Sequence, residues 1–146
     1  MESLRELYRI GHGPSASHTM GPRMAAERYR ERYPNAASYK VIFYGSLAAT
    51  GKGHLTDVAV KDVFAGADLE IEWRPGDVLA FHPNGMRWSS RSHDGEWGSE
   101  WEVYSVGGGA LREVGETAPT RHVYELRTMD ELMAWSRNAN RSLWQY

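Results

Sequence analysis

The spacing of hydrophobic positions changes along the chain, from about four residues in the predicted helices of its first half to two beyond residue 69. Ala25, Tyr29 and Tyr33 are four residues apart and follow a threonine and a proline that are typical of a helix start, so they predict a helix from residues 19–22 to Tyr33. Aromatic and β-branched residues at 39–44 predict a strand that stops before a glycine.

Helical spacing returns after this strand, and a second helix is expected to begin between Gly51 and His54 and to end near Gly66. Its apolar positions are Leu55, Val58, Ala59 and Val63. From Leu69 the apolar residues alternate with polar ones, which predicts a strand to Trp73. Further strands are predicted from short apolar runs in the segments VLAFH, MRWSS, WEVYSV and HVYEL.

Two local patterns complete the prediction. Asp94 and Gly95 favour a hairpin turn before the strand WEVYSV, and Thr128 is a suitable cap for a closing helix over residues 129–138. The order helix, strand, helix, several strands, helix indicates an α+β fold. We expect a two-layer sandwich in which helices cover one face of a mixed, mostly antiparallel sheet, with residues 1–146 forming a single domain.

Composition excludes several classes of function. The chain has 146 residues, 41% of them hydrophobic and 25% charged, as in a globular protein. A formal charge of -2 and a pI near 6.3 argue against nucleic-acid binding, and the longest apolar runs are too short to span a membrane. The first residues lack the pattern of a signal peptide, so we expect a cytoplasmic protein. Cysteine is absent, so this chain forms no disulfide and offers no thiolate ligand.

Candidate chemistry lies in polar, glycine-rich segments between the predicted elements, where functional residues are often found. The segment GSLAATGKGH is similar to a phosphate-binding loop, but its first two glycines are one residue too far apart and Gly53 follows Lys52 where a hydroxyl belongs. Two interpretations remain. The glycines either make a tight turn into the helix, or the helix start binds an anion such as a carboxylate with help from Lys52.

Two histidines in these segments are candidates for acid–base work. Asp57 lies three residues after His54, so on a helix the two would share a face and the carboxylate could orient the imidazole of a general base. The alternative is that both residues only cap the helix start. His82 and Asn84 flank Pro83, which either presents two hydrogen-bonding side chains or only stiffens a turn.

The remaining polar residues give weaker indications. The segment SASHT contains serine, histidine and threonine but lacks a nucleophile elbow, so capping and turn formation are favoured over nucleophilic catalysis. The spacing of the histidines matches no common zinc motif, and no metal site is predicted.

Four segments, in order along the chain, carry a resemblance that none carries alone: GPSASHTMGP, GSLAATGKGHLTD, HPNGM and YSVGGGALRE. Together they resemble the β domain of bacterial iron–sulfur L-serine dehydratases. The resemblance extends from about Leu4 to the closing helix. It departs from the family at Ala16, since the family has three consecutive serines where this chain has Ser15, Ala16 and Ser17.

The resemblance implies a lyase of amino-acid metabolism and gluconeogenesis that converts L-serine to pyruvate and ammonia. It also implies a 4Fe–4S cluster held by cysteines of a separate α domain, and a fold related to the allosteric substrate-binding domain of phosphoglycerate dehydrogenase. The implied partners are that α domain, expected to follow Tyr146, L-serine, and further copies of the enzyme in a homo-oligomer. The isolated chain is expected to be inactive.

By the same resemblance, His54, His82 and Asn84 are the residues that this domain contributes to a shared catalytic site, with His54 as base for the α-proton. The cluster would assist departure of the hydroxyl group. A second group, expected to contact the substrate anion or the domain interface, consists of Lys52, Ser15, Ser17, His18 and Thr19. The alternative is a regulatory or serine-binding module that braces the catalytic domain without taking part in the chemistry.

Overall fold

The computed structural model describes residues 10–116 and 124–146. Residues 10–116 form one compact unit, and residues 124–146 belong to a second. The expectation that the whole chain is one domain stays a prediction.

The larger unit contains a five-stranded sheet in the order β2-β1-β3-β4-β5. The strands are β1 (Ser38–Tyr44), β2 (Leu69–Arg74), β3 (Gly85–Arg91), β4 (Trp97–Gly107) and β5 (Ala110–Arg112). Strands β1 and β2 are parallel, and the other neighbours are antiparallel. The predicted α+β class with a mixed, mostly antiparallel sheet is therefore confirmed.

Three helices accompany this sheet: α1 (Gly21–Arg32), α2 (Gly45–Thr50) and α3 (Thr56–Val63). A π-helical turn, Ala16–Met20, precedes α1, so the first helical segment begins earlier than predicted. Its start is capped by Ser15, whose hydroxyl accepts a hydrogen bond from the His18 amide at 3.1 Å.

One face of the sheet packs against the helices. Tyr29 of α1 is fully buried and stacks on Trp88 and Trp101, with ring centroids 5.5 and 6.1 Å apart. The ring of Phe64, which follows α3, also stacks on Trp88, with the ring centroids 5.8 Å apart. The opposite face is charged: Lys40 pairs with two glutamates of β2, and Arg87 pairs with Glu102 across β3 and β4. The chain thus builds the two layers that its alternating strands predict.

Two segments differ from the predictions. Residues 45–50 form α2 where a loop was expected, because buried Leu47 and Ala48 anchor this short helix on the core. Residues 78–82 are not a strand, and Val78 and Phe81 of this segment are exposed. In α3 the buried side chains are Thr56, Ala59 and Val60, whereas Leu55 and Val58, two of the apolar positions of the predicted helix, are exposed.

The second unit contains α4 (Met129–Ala139) and a 3₁₀ turn, Leu143–Gln145. Thr128 caps α4 as predicted, in a capping box with Glu131. Of the predicted strand HVYEL, the first two residues lie outside the described residues, and residues 124–126 are not a strand.

Candidate functional site

The segments singled out in the sequence meet at one edge of the sheet. Strand pairing places the carboxyl ends of β1, β2 and β4 beside the amino end of β3, since Tyr44 pairs with Arg74 and Gly85 with Tyr104. The segment GSLAATGKGH follows β1, HPN precedes β3 and YSV ends β4. This edge is therefore where the candidate residues gather.

His18 is held in the π-helical turn before α1 and has both ring nitrogens engaged. Its Nδ1 lies 2.9 Å from Ser17 Oγ, and its Nε2 lies 3.2 Å from Ser46 Oγ at the start of α2. The ring is half-buried. Because each nitrogen already has a hydroxyl partner, His18 is poorly placed to take a proton from a substrate.

His54 lies in the turn between α2 and α3, and one of its nitrogens is positioned by the backbone. Its Nδ1 lies 3.0 Å from the Thr50 carbonyl oxygen. A carbonyl only accepts, so Nδ1 carries the proton, and the neutral ring keeps a lone pair on Nε2. Asp57, a candidate to orient this ring, instead lies 3.8 Å from Lys61. The orienting group is therefore a carbonyl, and the Asp57 hypothesis is wrong.

The two imidazoles are in contact. The ring centroids of His18 and His54 are 4.9 Å apart and the planes are inclined by 37°. Burial, and secondly the neighbouring His54, lower the pKa of His18. His18 therefore stays neutral at pH 7.

Replacing His54 with glutamine is expected to raise the pKa of His18, because it removes the second cause of the lowering. The pKa should stay below its ordinary value, since burial is the larger cause and remains. NMR titration of the His18 ring resonances measures this shift. His93→Gln is the control, because His93 lies in the exposed β3–β4 turn, and it should leave the pKa of His18 unchanged. An unchanged or lower pKa in the His54 variant would contradict the pairing.

The HPN segment has the opposite histidine tautomer. His82 Nδ1 accepts a hydrogen bond from the Asn84 amide at 3.1 Å, so the neutral ring carries its proton on Nε2. Asn84 is 8% exposed, and its Nδ2 donates to the Ser105 carbonyl at 3.2 Å. The Ser105 amide donates back to the Asn84 carbonyl at 3.0 Å. Asn84 thus joins β3 to β4, while His82 presents a donor.

The HPN segment and Asp77, which lies before it, are each attached to the start of α2 by a backbone hydrogen bond. The Ser46 amide donates to the Pro83 carbonyl at 3.0 Å, and the Gly45 amide donates to the Asp77 carbonyl at 2.8 Å. Gly45 has φ +50, and a Cβ there would lie 2.5 Å from the Pro83 oxygen. Only glycine fits this approach. Through Ser46, the HPN segment is connected to the histidine pair.

The other predicted residues have partners of their own. Lys52 is exposed, with Nζ 5.8 Å from the ring centroid of Trp73. Thr19 is buried and donates to the His54 carbonyl. A role for these residues in binding substrate stays a prediction. Sequence reasoning missed Ser46 and Thr56, although both are hydroxyl residues inside the segment GSLAATGKGHLTD.

Within 10–116 and 124–146, no three His, Asp or Glu side chains are grouped as metal ligands. In the same ranges, none of the helices combines the length and apolarity that crossing a bilayer requires.

The fold and the site define a small α+β domain with a histidine pair at one edge of its sheet. Residues 3–70 match the family described as serine dehydratase beta chain. The L-serine dehydratase of Streptomyces coelicolor is 31% identical over 97% of this chain and 42% of its own length. That of Mycobacterium bovis is 30% identical over 75% of this chain and 32% of its own. L-serine dehydratase 1 of Escherichia coli is 38% identical over 53% of this chain and 19% of its own.

Residues 3–70 belong to the serine dehydratase beta chain family. The matched residues 3–70 include both histidines of the pair but end before the HPN and YSV segments. The chain spans less than half the length of the L-serine dehydratases of Streptomyces coelicolor and Mycobacterium bovis. It therefore corresponds to the beta-chain portion of such enzymes.

Proposed function

We propose that this domain supplies acid–base groups for the elimination of water from L-serine, in an active site completed by a separate α domain. The similar proteins of Streptomyces coelicolor and Mycobacterium bovis are L-serine dehydratases, which supports the substrate and the reaction class. The observation that carries the proposal is His54, whose Nδ1 is bound to a carbonyl while Nε2 keeps its lone pair. A base must present such a lone pair.

The donor set of this chain does not fit an iron–sulfur cluster. Its sequence contains no cysteine, and its described His, Asp and Glu side chains form no ligand group. We therefore propose that the 4Fe–4S cluster belongs to the α domain.

In the proposed reaction, His54 Nε2 takes the α-proton of serine. The electron pair of the broken C–H bond forms a Cα–Cβ double bond, and the β-hydroxyl leaves and becomes water by gaining a proton. His82 suits this second position, because its Nε2–H is a donor. The resulting 2-aminoacrylate tautomerises and is hydrolysed to pyruvate and ammonia. His18 remains neutral beside His54, so it adds no positive charge next to the catalytic ring.

The relation to the allosteric substrate-binding domain of phosphoglycerate dehydrogenase is a further part of the proposal, and it is the reason to test the regulatory alternative. Reconstitution of the two domains distinguishes the catalytic role from the regulatory one. This chain is mixed anaerobically with a cluster-bearing α domain, and pyruvate is measured after addition of L-serine.

We expect pyruvate only from the mixture, because the base and the cluster lie on different domains. Each domain alone is the control and should form none. Pyruvate formation by the α domain alone would overturn the catalytic role and favour a regulatory or bracing one.

A further inference from the structure

The two segments that carry the histidine pair are joined by crossed hydrogen bonds. Thr19, next to His18, donates from Oγ1 to the carbonyl of His54 at 2.7 Å. Thr56, two residues after His54, donates from Oγ1 to the carbonyl of His18. Each threonine thus binds the backbone of the histidine on the other segment.

Both threonines are enclosed. Thr19 is 2% exposed and Thr56 is fully buried. A Cβ at Gly13 would lie 2.1 Å from the Thr19 methyl carbon, and one at Gly51 would lie 3.0 Å from the Thr56 hydroxyl. The chain therefore has glycines where it passes the two threonines. A buried hydroxyl in such a place requires a partner, and the histidine carbonyls provide it.

We infer that Thr19 and Thr56 are positioning residues that hold the segments of His18 and His54 together so that the two imidazoles stay in contact. This inference rests on the proposed function of His54. One hydrogen bond would restrain the distance between the segments but still allow rotation about it. Two bonds that cross between the segments restrain both the distance and the relative orientation.

The first test is structural and uses this chain. Thr19→Val and Thr56→Val remove each hydroxyl while keeping a similar shape. The rings are 4.9 Å apart, so the folded protein should show a nuclear Overhauser effect between ring protons of His18 and His54. We expect this effect to be lost in each valine variant and kept in Thr19→Ser and Thr56→Ser, which retain the hydroxyl.

A matched control separates positioning from general stability. Tyr39→Phe removes another buried bond from a hydroxyl to a carbonyl, the 2.6 Å bond to Tyr33. It is expected to lower stability and leave the ring contact unchanged. A ring contact that persists in the valine variants would overturn the inference. So would its loss in a folded serine variant, a result that can be obtained even if the valine variants do not fold.

The second test measures turnover of the chain combined with its α domain. We expect each valine variant to lower kcat by about 100-fold with a smaller change in KM, because a misplaced base loses reactivity before the substrate loses binding. The serine variants should recover most of this loss. If the ring contact is lost but kcat is unchanged, the proposed role of His54 fails while the positioning of the pair stands.

Discussion

Replacing His54 with alanine should lower the kcat of the proposed enzyme, this chain combined with a cluster-bearing α domain, by about 10³-fold, within the range that a positioned base contributes. The Thr50 carbonyl binds Nδ1 of His54, so the lone pair on Nε2 remains available. Both nitrogens of His18, in contrast, are engaged by Ser17 and Ser46. Anaerobic pyruvate formation at saturating L-serine measures the effect, and the visible absorption spectrum verifies that the cluster is intact.

His93→Ala is the matched control, because His93 lies in the exposed turn between β3 and β4 and should leave kcat unchanged. A second measurement follows the α-proton: in D₂O, the wild-type enzyme should exchange it and the His54 variant should not. If the variant keeps its turnover at saturating serine and only its activation changes, the domain is regulatory and the base lies elsewhere.

The sequence predicted the elements that local chemistry determines. Alternation of apolar and charged residues identified β2, Asp94-Gly95 identified the β3–β4 turn, and Thr128 with Glu131 identified α4. Each of these patterns depends on neighbours in the chain. The sequence therefore predicts them without knowledge of the tertiary structure.

The errors in the fold arise where tertiary contacts override local pattern. Residues 45–50 are too few to show a helical repeat of apolar positions, and α2 forms because Leu47 is buried against the sheet. Residues 78–82 are apolar enough for a strand. The carbonyls on either side of this segment, those of Asp77 and Pro83, instead accept hydrogen bonds from the Gly45 and Ser46 amides at the start of α2.

The candidate site was predicted as a set of residues but not as an arrangement. The motifs identified His18 and His54, yet contact between their rings depends on where the two segments meet in space. The orienting partner was missed because it is a backbone carbonyl, that of Thr50, which a sequence pattern does not mark. The roles of Thr19 and Thr56 were missed for the same reason, since both donate to carbonyls of the other segment.

Replacing Trp88 with alanine is expected to lower the free energy of unfolding by about 3 kcal/mol, the lower end of the range for deleting a buried aromatic ring. The ring is fully buried between Tyr29 and Phe64, so its removal leaves a cavity. The lower end is expected because Trp88 Nε1 is buried with no hydrogen-bond partner among the described residues. Its deletion also removes that unfavourable burial. Urea unfolding followed by circular dichroism measures the change.

Trp97→Ala provides the comparison, because this tryptophan is 47% exposed and contacts Arg91 with 5.6 Å between the guanidinium carbon and the ring centroid. This substitution should lower the free energy of unfolding by less than about 1 kcal/mol. Equal losses for the two variants would contradict the assignment of the core. Under conditions where the Trp88 variant is folded, the contact between His18 and His54 should persist, because it depends on hydrogen bonds between their own segments. Stability and arrangement of the site are therefore expected to respond to different substitutions.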